Sequence, residues 1–248
     1  MSTKKVALIT GASRGIGRVI CTTLAKEGYN IIATYNNSQD KAKSLEEELK
    51  QIGVDFLILK CDISNELEVK EVVTKSLKKF NKIDCLCNNA GISIDTLFRD
   101  KTVENFQKTL NVNLIGTFLM SKYVGEEMMK NKYGKIVNIS STNGINTYYP
   151  MCLDYDCSKA GINNLTHNLA MQFAPYINVN AIAPGFIKTE SEIKDMDEEF
   201  IKLEEEKIFL KRGGTEQDVA NLVKFLFSED ASFINSEIIR IDGGTYGS

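Results

Sequence analysis

Short apolar runs alternate with helical stretches along this chain, and that alternation most constrains its fold. Seven runs have strand character: Val6–Thr10, Asn30–Tyr35, Phe56–Cys61, Ile83–Asn88, Lys135–Ser140, Ile177–Ala183 and Ile238–Ile241. Several are apolar at consecutive positions, as strands buried on both faces should be. Between them lie helix candidates at Asp40–Gln51, Glu66–Lys79, Val103–Lys130 and Asp154–Ala174. The order predicts an α/β fold with one doubly wound parallel sheet of about seven strands, flanked by helices.

Length and charge exclude several other classes of protein. At 248 residues the chain fits one domain, and no repeat or linker-like tract divides it, so residues 1–248 are predicted to form a single domain. The net charge of −3 argues against a nucleic-acid partner. The sequence has neither an apolar run long enough to span a bilayer nor a secretory pattern at its start. A cytoplasmic protein without a membrane partner is expected.

The cysteines and the histidine do not predict a metal site. None of the six cysteines forms a C-x-x-C pair, and in a cytosolic context they are expected to be reduced core thiols. The one histidine, His167, belongs to no H-E-x-x-H pattern and is expected on a helix surface or at a subunit contact.

A glycine-rich loop follows the first strand candidate. Gly11, Gly15 and Gly17 are spaced G-x-x-x-G-x-G between an apolar run and a helical stretch. Such glycines permit a tight turn, close backbone approach to a pyrophosphate, and close packing of helix on strand. The helix that follows presents free N–H groups and the positive end of its dipole. The loop therefore predicts a dinucleotide phosphate site, with a purely structural glycine turn as the alternative.

The end of the second strand indicates which dinucleotide binds. An NAD site usually places an acid there for the ribose 2′-hydroxyl. Here the chain reads Ala33–Ser38 without an acid, and Arg14 adds a cation within the glycine loop. A 2′-phosphate is favoured by Arg and amide donors and repelled by an acid. NADP(H) is predicted over NAD(H).

Tyr155 and Lys159 stand four residues apart in a predicted helix, so their side chains share one face. A phenol is a poor base at neutral pH, and a nearby ammonium lowers its pKa toward the working pH. Such a phenol can exchange a proton with an alcohol or a carbonyl. A surface Tyr–Lys pair is the alternative for this spacing considered alone.

A strongly charged segment, Glu190–Lys207, lies between Pro184-Gly185 and Gly213-Gly214. We expect a substrate lid near 190–210. The alternative is a solvated amphipathic helix.

These segments together closely resemble the short-chain dehydrogenase/reductase family, from Lys5 to the C-terminus. The resemblance is carried by Thr10–Gly17, Asp62, Asn88–Gly91, Asn113, Ser141, Tyr155, Lys159, Pro184-Gly185, Thr189 and Asp242–Gly244. It implies a Rossmann-type fold and an NAD(P)-dependent oxidoreductase with a catalytic tetrad of Asn113, Ser141, Tyr155 and Lys159. It also implies a set of cofactor-binding residues: Gly11, Ser13, Arg14, Gly15, Ile16, Gly17, Tyr35, Asn36, Asp62, Ile63, Asn89, Ala90, Gly91, Tyr155, Lys159, Pro184, Gly185, Ile187 and Thr189.

The resemblance also implies a role for each tetrad residue. Tyr155 would donate a proton to the substrate carbonyl, and Lys159 would lower the Tyr155 pKa and bind the nicotinamide ribose. Ser141 would hydrogen-bond the substrate oxygen. Asn113 would hold a water that links Lys159 to solvent; the alternative is a helix-interior amide bonded to backbone.

Two features near the tetrad differ from a simple family pattern. Ser140 and Ser141 are adjacent, and strand alternation points them to opposite faces, so only one can serve. The S-x-x-G spacing to Gly144 selects Ser141. The segment from Ser141 to Tyr155 is one residue longer than in many relatives, which makes the pocket rim Tyr148–Leu153 distinctive.

Within the family, the chain most resembles bacterial 3-oxoacyl-[acyl-carrier-protein] reductases, through Phe225–Gly244, Met128–Lys135 and its overall length. A carrier protein is acidic, and Lys130, Lys132 and Lys135 are candidates for its docking site. The segment Met171–Tyr176 lacks the arginine that these reductases usually offer. Most relatives are homotetramers that pair through two long helices and the last strand.

Two other functions remain open from the sequence. One is a dehydrogenase of a sugar, a steroid or a small secondary alcohol from the same family. The other is a dinucleotide-binding sensor without catalysis, against which the intact tetrad argues.

Overall fold

The structure, a computed structural model, describes residues 4–146, 148–189, 193–194 and 196–245. Its strands are Val6–Ile9 (β1), Asn30–Tyr35 (β2), Phe56–Lys60 (β3), Cys85–Asn88 (β4), Gly134–Ile139 (β5), Ile177–Pro184 (β6) and Ile238–Ile241 (β7). They form a seven-stranded sheet in the order β3-β2-β1-β4-β5-β6-β7, and every neighbouring pair is parallel. The predicted fold class is confirmed.

Helices cover both faces of this sheet. They are Gly15–Lys26 (α1), Gln39–Ile52 (α2), Glu66–Phe80 (α3), Val103–Leu110 (α4), Gly116–Asn131 (α5), Leu153–Gln172 (α6), Glu198–Lys207 (α7) and Glu216–Phe227 (α8). The side chains of β1 alternate between two cores: Ala7 and Ile9 pack with α1, α2 and α8, whereas Val6 and Leu8 pack with α3, α5 and α6. This two-residue period buries both faces of the strand, which explains its continuously apolar sequence.

The predicted single helix Val103–Lys130 is interrupted. A π-helical turn, Asn111–Ile115, joins α4 to α5 with helical backbone on both sides. The hydroxyl of Thr117 donates to the Asn113 carbonyl at 2.7 Å, which provides a partner for a carbonyl in the widened turn. Single π turns of this kind frequently mark functional sites. The apolar pattern on either side did not reveal the extra residue.

The lysine segment predicted as a docking site lies at the amino edge of the sheet. Lys130 belongs to the last turn of α5, and Lys135 is the second residue of β5. Lys135 is buried, and its amine donates to the Ser228 carbonyl at 2.7 Å. Burial lowers the pKa of Lys135. Ser141 follows β5 at the opposite edge, roughly 20 Å away at about 3.3 Å per residue. The prediction that Lys135 serves docking is therefore wrong.

Other expectations concern the surface and the thiols. All six cysteines carry free thiols, and Cys21, Cys61, Cys85 and Cys87 are buried. His167 is exposed on α6, with Nδ1 2.9 Å from the Ser236 hydroxyl. None of the helices formed by the described residues is long and apolar enough to cross a membrane. Within the same ranges, no three His, Cys, Asp or Glu side chains are grouped so as to hold a metal ion.

Candidate active site

The predicted site residues gather at the carboxyl edge of the sheet. The glycine loop follows β1, Asn89–Gly91 follow β4, Ser141 follows β5, and Gly185 follows β6. Strand order reverses between β1 and β4, because β2 and β3 lie on one side of β1 and the later strands on the other. Ligands of open α/β sheets bind at such a switch point, outside the carboxyl ends of the strands.

The glycine loop has the shape of a phosphate cradle. Gly11 has a φ of +63°, and a Cβ there would lie 2.8 Å from the Ala90 Cα. A Cβ on Gly17 would lie 2.6 Å from the Gly11 carbonyl oxygen. Gly15 has a φ of +53°, and helix α1 begins there without a side-chain cap on Arg14, the residue before it. The first N–H groups of α1 are thus available to an anion, and the loop fits a pyrophosphate.

Polar contacts fix this loop against the end of β4. The Thr10 hydroxyl accepts hydrogen bonds from the N–H groups of Asn89 and Ala90, both at 3.0 Å. The Asn89 amide in turn donates to the carbonyls of Thr10 at 2.9 Å and Gly11 at 3.2 Å. Asn89 therefore shapes the glycine loop through its side chain and joins the two halves of the switch point.

The end of β2 lies beside the glycine loop. The Ala12 N–H donates to the Thr34 carbonyl at 2.8 Å, which places the loop next to Tyr35 and Asn36. Tyr35 is partly exposed, Asn36 is exposed, and Arg14 projects into solvent within the loop. Lys60 of β3 pairs in register with Tyr35. Arg14 and Asn36, which the sequence singled out, thus lie near Lys60, a second cation that it did not.

Asp62 and Ile63 lie at the end of β3 in different environments. One carboxylate oxygen of Asp62 accepts from the N–H of Ser64 at 2.9 Å and from its hydroxyl at 2.6 Å. Ile63 is buried and packs tightly on Gly116, because a Cβ on Gly116 would lie 2.6 Å from the Ile63 Cδ1. The first contact orients Asp62, and the second ties this turn to the start of α5.

Lys159 is buried beneath the partly exposed Tyr155. Its amine lies 5.3 Å from the centre of the Tyr155 ring and donates to the Ile139 carbonyl at 2.8 Å. Burial lowers the pKa of Lys159 to about 8. An ammonium held this close to a phenol favours the phenolate form. The i, i+4 spacing thus yields the predicted shared face of α6.

The two adjacent serines point in opposite directions, as strand alternation requires. Ser140 donates to the Lys159 carbonyl at 3.2 Å inside the protein. Ser141 begins a 3-10 turn, Thr142–Gly144, and its hydroxyl accepts from the Asn143 N–H at 3.2 Å. A Cβ on Gly144 would lie 2.6 Å from the Lys159 carbonyl carbon, so the serine turn rests directly on α6. Ser140 is thereby committed to structure, and Ser141 remains the candidate.

Asn113 occupies the π turn and is fully buried. Its side chain accepts from the Ile92 N–H at 2.8 Å and donates to the Ile92 carbonyl at 2.9 Å and to the Ser158 hydroxyl at 3.0 Å. The amide therefore bonds to backbone, as in the alternative given for it. A Cβ on Gly91 would lie 3.3 Å from the Asn113 Oδ1 and 3.7 Å from the Lys159 amine. Asn113 thus lies next to Lys159 across Gly91, and its proposed water remains a prediction.

The turn after β6 closes the site opposite the glycine loop. A Cβ on Gly185 would lie 2.6 Å from the Asp242 Cβ, so only glycine fits beside Asp242, the residue after β7. Ile187 is buried, and Thr189 approaches the position of a Gly15 Cβ at 4.0 Å. A dinucleotide that lies across the strand ends would touch both turns.

The sequence did not identify the groups that anchor the first turn of α6. Asp154 is buried, and its carboxylate accepts from the Lys101 amine and from the Thr109 hydroxyl, each at 2.7 Å. Lys101 also donates to the Ile94 carbonyl. Burial by itself would raise the pKa of Asp154, but the Lys101 and Thr109 hydrogen bonds outweigh it and hold that pKa below its usual range. Lys101 and Thr109, which are distant from Asp154 in the sequence, thus hold Asp154, the residue before Tyr155.

The predicted lid lies only partly within the described residues, since 190–192 and 195 fall outside them. Its later part forms helix α7. A solvated amphipathic helix was the alternative to a lid for this segment. The Tyr149 hydroxyl donates to Glu204 at 3.2 Å, and Lys188 pairs with Glu205 at 2.8 Å. These contacts join α7 to the pocket rim and to the turn after β6. A lid role remains a prediction.

Comparison with known proteins gives a consistent result. The sequence profile of a family described as enoyl-(acyl carrier protein) reductase matches residues 11–246. A 3-oxoacyl-[acyl-carrier-protein] reductase of Staphylococcus epidermidis is 38% identical over 98% of this chain and 99% of its own length. One of Aquifex aeolicus is 38% identical over 98% and 97%. The crystal structure of levodione reductase superposes with a TM-score of 0.89 at 32% identity, covering 97% of each chain.

We expect the burial of Lys159 to make the stability of the ligand-free protein depend on pH. Its folded-state pKa of about 8 lies below the usual lysine pKa of 10.5, so the charged form costs stability below pH 8, and this cost fades as the pH rises to 10.5. Relative to Lys159→Met, the wild type should therefore gain on the order of 3 kcal/mol between pH 7 and 10.5. Urea unfolding of both proteins across this range measures the difference, and a constant difference would contradict the prediction.

Proposed function

The chain belongs to the short-chain dehydrogenase/reductase family, and from that membership we propose that it is an NADPH-dependent reductase of 3-oxoacyl-[acyl-carrier-protein] thioesters in fatty-acid synthesis. The chemistry is that of a nicotinamide-dependent oxidoreductase acting on a ketone or its alcohol. The observation that carries the proposal is the buried Lys159 amine 5.3 Å from the Tyr155 ring, next to a glycine loop that fits a pyrophosphate.

The residues of the site divide the work between binding and proton transfer. The bound nicotinamide supplies hydride to the carbonyl carbon. Tyr155 donates a proton to the carbonyl oxygen, and the charged Lys159 stabilises the phenolate that remains. The Ser141 hydroxyl hydrogen-bonds the same oxygen and stabilises its developing charge. Gly11, Gly15 and the start of α1 hold the phosphates, and the bond to the Ile139 carbonyl holds the Lys159 amine in place.

The preference for NADPH rests on the residues beside the glycine loop. Arg14 is exposed within the loop, Lys60 pairs with Tyr35, and residues 35–38 include no acid. A 2′-phosphate at this edge would meet cations and amide donors rather than a repelling carboxylate. Asp62 lies at the end of the next strand, where its carboxylate binds Ser64.

A carrier protein would have to approach the carboxyl edge, because the site opens there. Arg99, with 80% of its side chain exposed, lies in the 3-10 turn Phe98–Asp100. The chain just before that turn contacts the pocket rim, where the Thr96 N–H donates to the Met151 carbonyl at 3.2 Å. Phe98 and Tyr148 are exposed beside it and offer an apolar surface for an acyl chain. We propose Arg99 as the basic contact in place of the lysines at the amino edge.

A second candidate function is the reduction of a small diffusible ketone. The structural likeness to levodione reductase supports it, as do the acids Asp95 and Glu204 near the pocket rim, which disfavour an acidic carrier. The intact tetrad argues against a non-catalytic sensor.

A homotetramer is also part of the proposal. Val103, Ile115 and Phe118 are 66%, 43% and 41% exposed along α4 and α5, where relatives pair. Burial of these side chains against a second copy would remove apolar surface from water.

Tyr155→Phe should lower turnover by about 10²- to 10⁴-fold, because it removes the proton donor. Cofactor affinity should stay nearly unchanged, since the ring and Lys159 remain. Steady-state reduction of an acetoacetyl thioester, with cofactor titration, measures both. Retention of more than about a tenth of the activity would show that Tyr155 is not the acid.

Tyr35→Asp should weaken NADPH binding, because a carboxylate at the end of β2 repels a 2′-phosphate. Isothermal titration of NADPH and NADH to both proteins gives the four affinities. Wild-type protein should prefer NADPH. Equal wild-type affinities, or tighter binding of NADH, would contradict the predicted cofactor choice.

Arg99→Glu should raise the KM for a carrier-bound 3-oxoacyl substrate and leave that for a small thioester unchanged, because exposed interfacial charges act on encounter and register. Lys130→Glu is the matched control. Lys130 is 68% exposed and pairs with Glu127, as Arg99 pairs with Asp100, but Lys130 lies at the amino edge. High salt should mimic the Arg99 change, because exposed charges are screened over about 8 Å at physiological ionic strength and over shorter distances at higher salt.

Equal effects of Arg99→Glu on both substrates would indicate damage to the pocket rather than lost docking. An effect of Lys130→Glu alone would place the carrier at the amino edge. Absence of activity toward every 3-oxoacyl thioester would favour the small-ketone function.

The purified protein should scatter light as a particle of about four times 27.7 kDa. Phe118→Glu should lower this mass, because it places a charge in the proposed contact. A monomeric wild type would contradict the tetramer.

A further inference from the structure

We infer that Asn143 and Asp156 are positioning residues that hold the Ser141 hydroxyl in place, an assignment that rests on the proposed function of Ser141. Asn143 belongs to the 3-10 turn after β5, and Asp156 directly follows Tyr155 in α6. Neither was singled out by its sequence. Together they connect the serine to the helix that carries the tyrosine and the lysine.

The contacts form an uninterrupted series. The Asn143 amide donates from Nδ2 to the Asp156 Oδ1 at 2.7 Å. The Ser141 hydroxyl donates to the Asn143 Oδ1 at 3.3 Å, and the Asn143 N–H donates back to the Ser141 Oγ at 3.2 Å. A carboxylate only accepts hydrogen bonds, so it must face the NH₂ end of the amide. Asp156 therefore fixes which end of Asn143 faces the serine.

The strengths of these bonds suit a catalytic serine. The bond between Asn143 and Asp156 is short and involves a charge, whereas the one from the Ser141 hydroxyl is long and between neutral groups. A ketone oxygen can therefore replace the Asn143 Oδ1 as the acceptor of the Ser141 proton at small cost. The Asn143 N–H still holds the oxygen of the serine while its hydrogen rotates toward the substrate.

The surroundings of Asp156 show that it is a partly buried acid with other acids nearby. Burial raises its pKa, the negative charges of Asp154 and Asp95 raise it further, and the bond from Asn143 lowers it. Asp154 is itself paired with Lys101. The Tyr149 N–H is near enough to lower the pKa of Asp156, so the pocket rim meets α6 beside this carboxylate. The ionised form of Asp156 is therefore disfavoured at this position. Its hydrogen bond nevertheless fixes the orientation of the Asn143 amide.

The test compares two backgrounds with a ketone substrate that the wild-type enzyme reduces. Asn143→Ala and Asp156→Ala should each lower kcat by about 10- to 100-fold, with the KM for the cofactor unchanged, since loss of one stabilising donor at such a site has effects of this order or more. In the Ser141→Ala background, the same two changes should lower kcat by less than about twofold, because they act through the missing hydroxyl.

A conservative variant provides the rescue. Asp156→Asn keeps an oxygen that can accept from Asn143, so it should retain activity within about threefold of wild type. It also tests the inference if Asp156→Ala fails to fold, which unfolding curves for each variant would reveal. Full inactivity of a folded Asp156→Asn protein would overturn the assignment.

The other outcomes separate this inference from the proposed function. Equal losses with and without Ser141 would mean that the two residues merely support the fold, and no loss in either would mean that the serine needs no positioning; both overturn the assignment. If Ser141→Ala itself is harmless, the role proposed for Ser141 fails, and the assignment of its positioning residues fails with it. The substrate proposal can fail independently, because any reducible ketone serves in this assay.

Discussion

Burial of the Lys159 amine is the constraint on which the rest of this site depends. An ammonium removed from water is unfavourable, and here its bond to the Ile139 carbonyl only partly replaces hydration. Gly91 and Gly144 approach so closely that a Cβ at Gly144 would meet the Lys159 backbone and one at Gly91 would lie 3.7 Å from its amine. The protein accepts an unfavourable charge in order to place it beneath Tyr155. Such conflicts with stability are typical of functional sites.

Much of this arrangement follows from the topology of the sheet. The strand order reverses between β1 and β4, and the Thr10 and Asn89 bonds fasten that junction. A long ligand that lies across the strand ends meets the glycine loop on one side and Lys159 on the other. Some polar groups at these strand ends are therefore structural, and others face the ligand. Asn89 is structural, because its side chain shapes the glycine loop that the ligand would contact.

The sequence predicted features that depend on local periodicity. β2 and β7 have the predicted bounds, because apolar runs and their flanking residues mark strands directly. The shared face of Tyr155 and Lys159, and the opposite directions of Ser140 and Ser141, follow from the periods of helix and strand. Site roles themselves came from resemblance to the family rather than from spacing.

Features that depend on contacts between distant residues were missed. The π turn at Asn111–Ile115 adds one residue to an apolar pattern that one helix also fits. Lys135 was expected at the surface as part of a basic segment, but a strand that begins at Gly134 turns it inward to the Ser228 carbonyl, 93 residues away. The partners of Asp154, at positions 101 and 109, have no local signature either.

Three consecutive residues of α6 show how one helical turn organises the whole pocket. Successive side chains of a helix point about 100° apart, so neighbours in sequence contact different parts of the protein. Asp154 turns toward α4 and the loop after β4, Tyr155 toward the buried amine, and Asp156 toward the serine turn and the rim. A change in any one of these elements is therefore transmitted to the residue adjacent to the proposed acid. The first turn of α6 is thus linked, through Asp156 and Asn143, to the turn that carries Ser141.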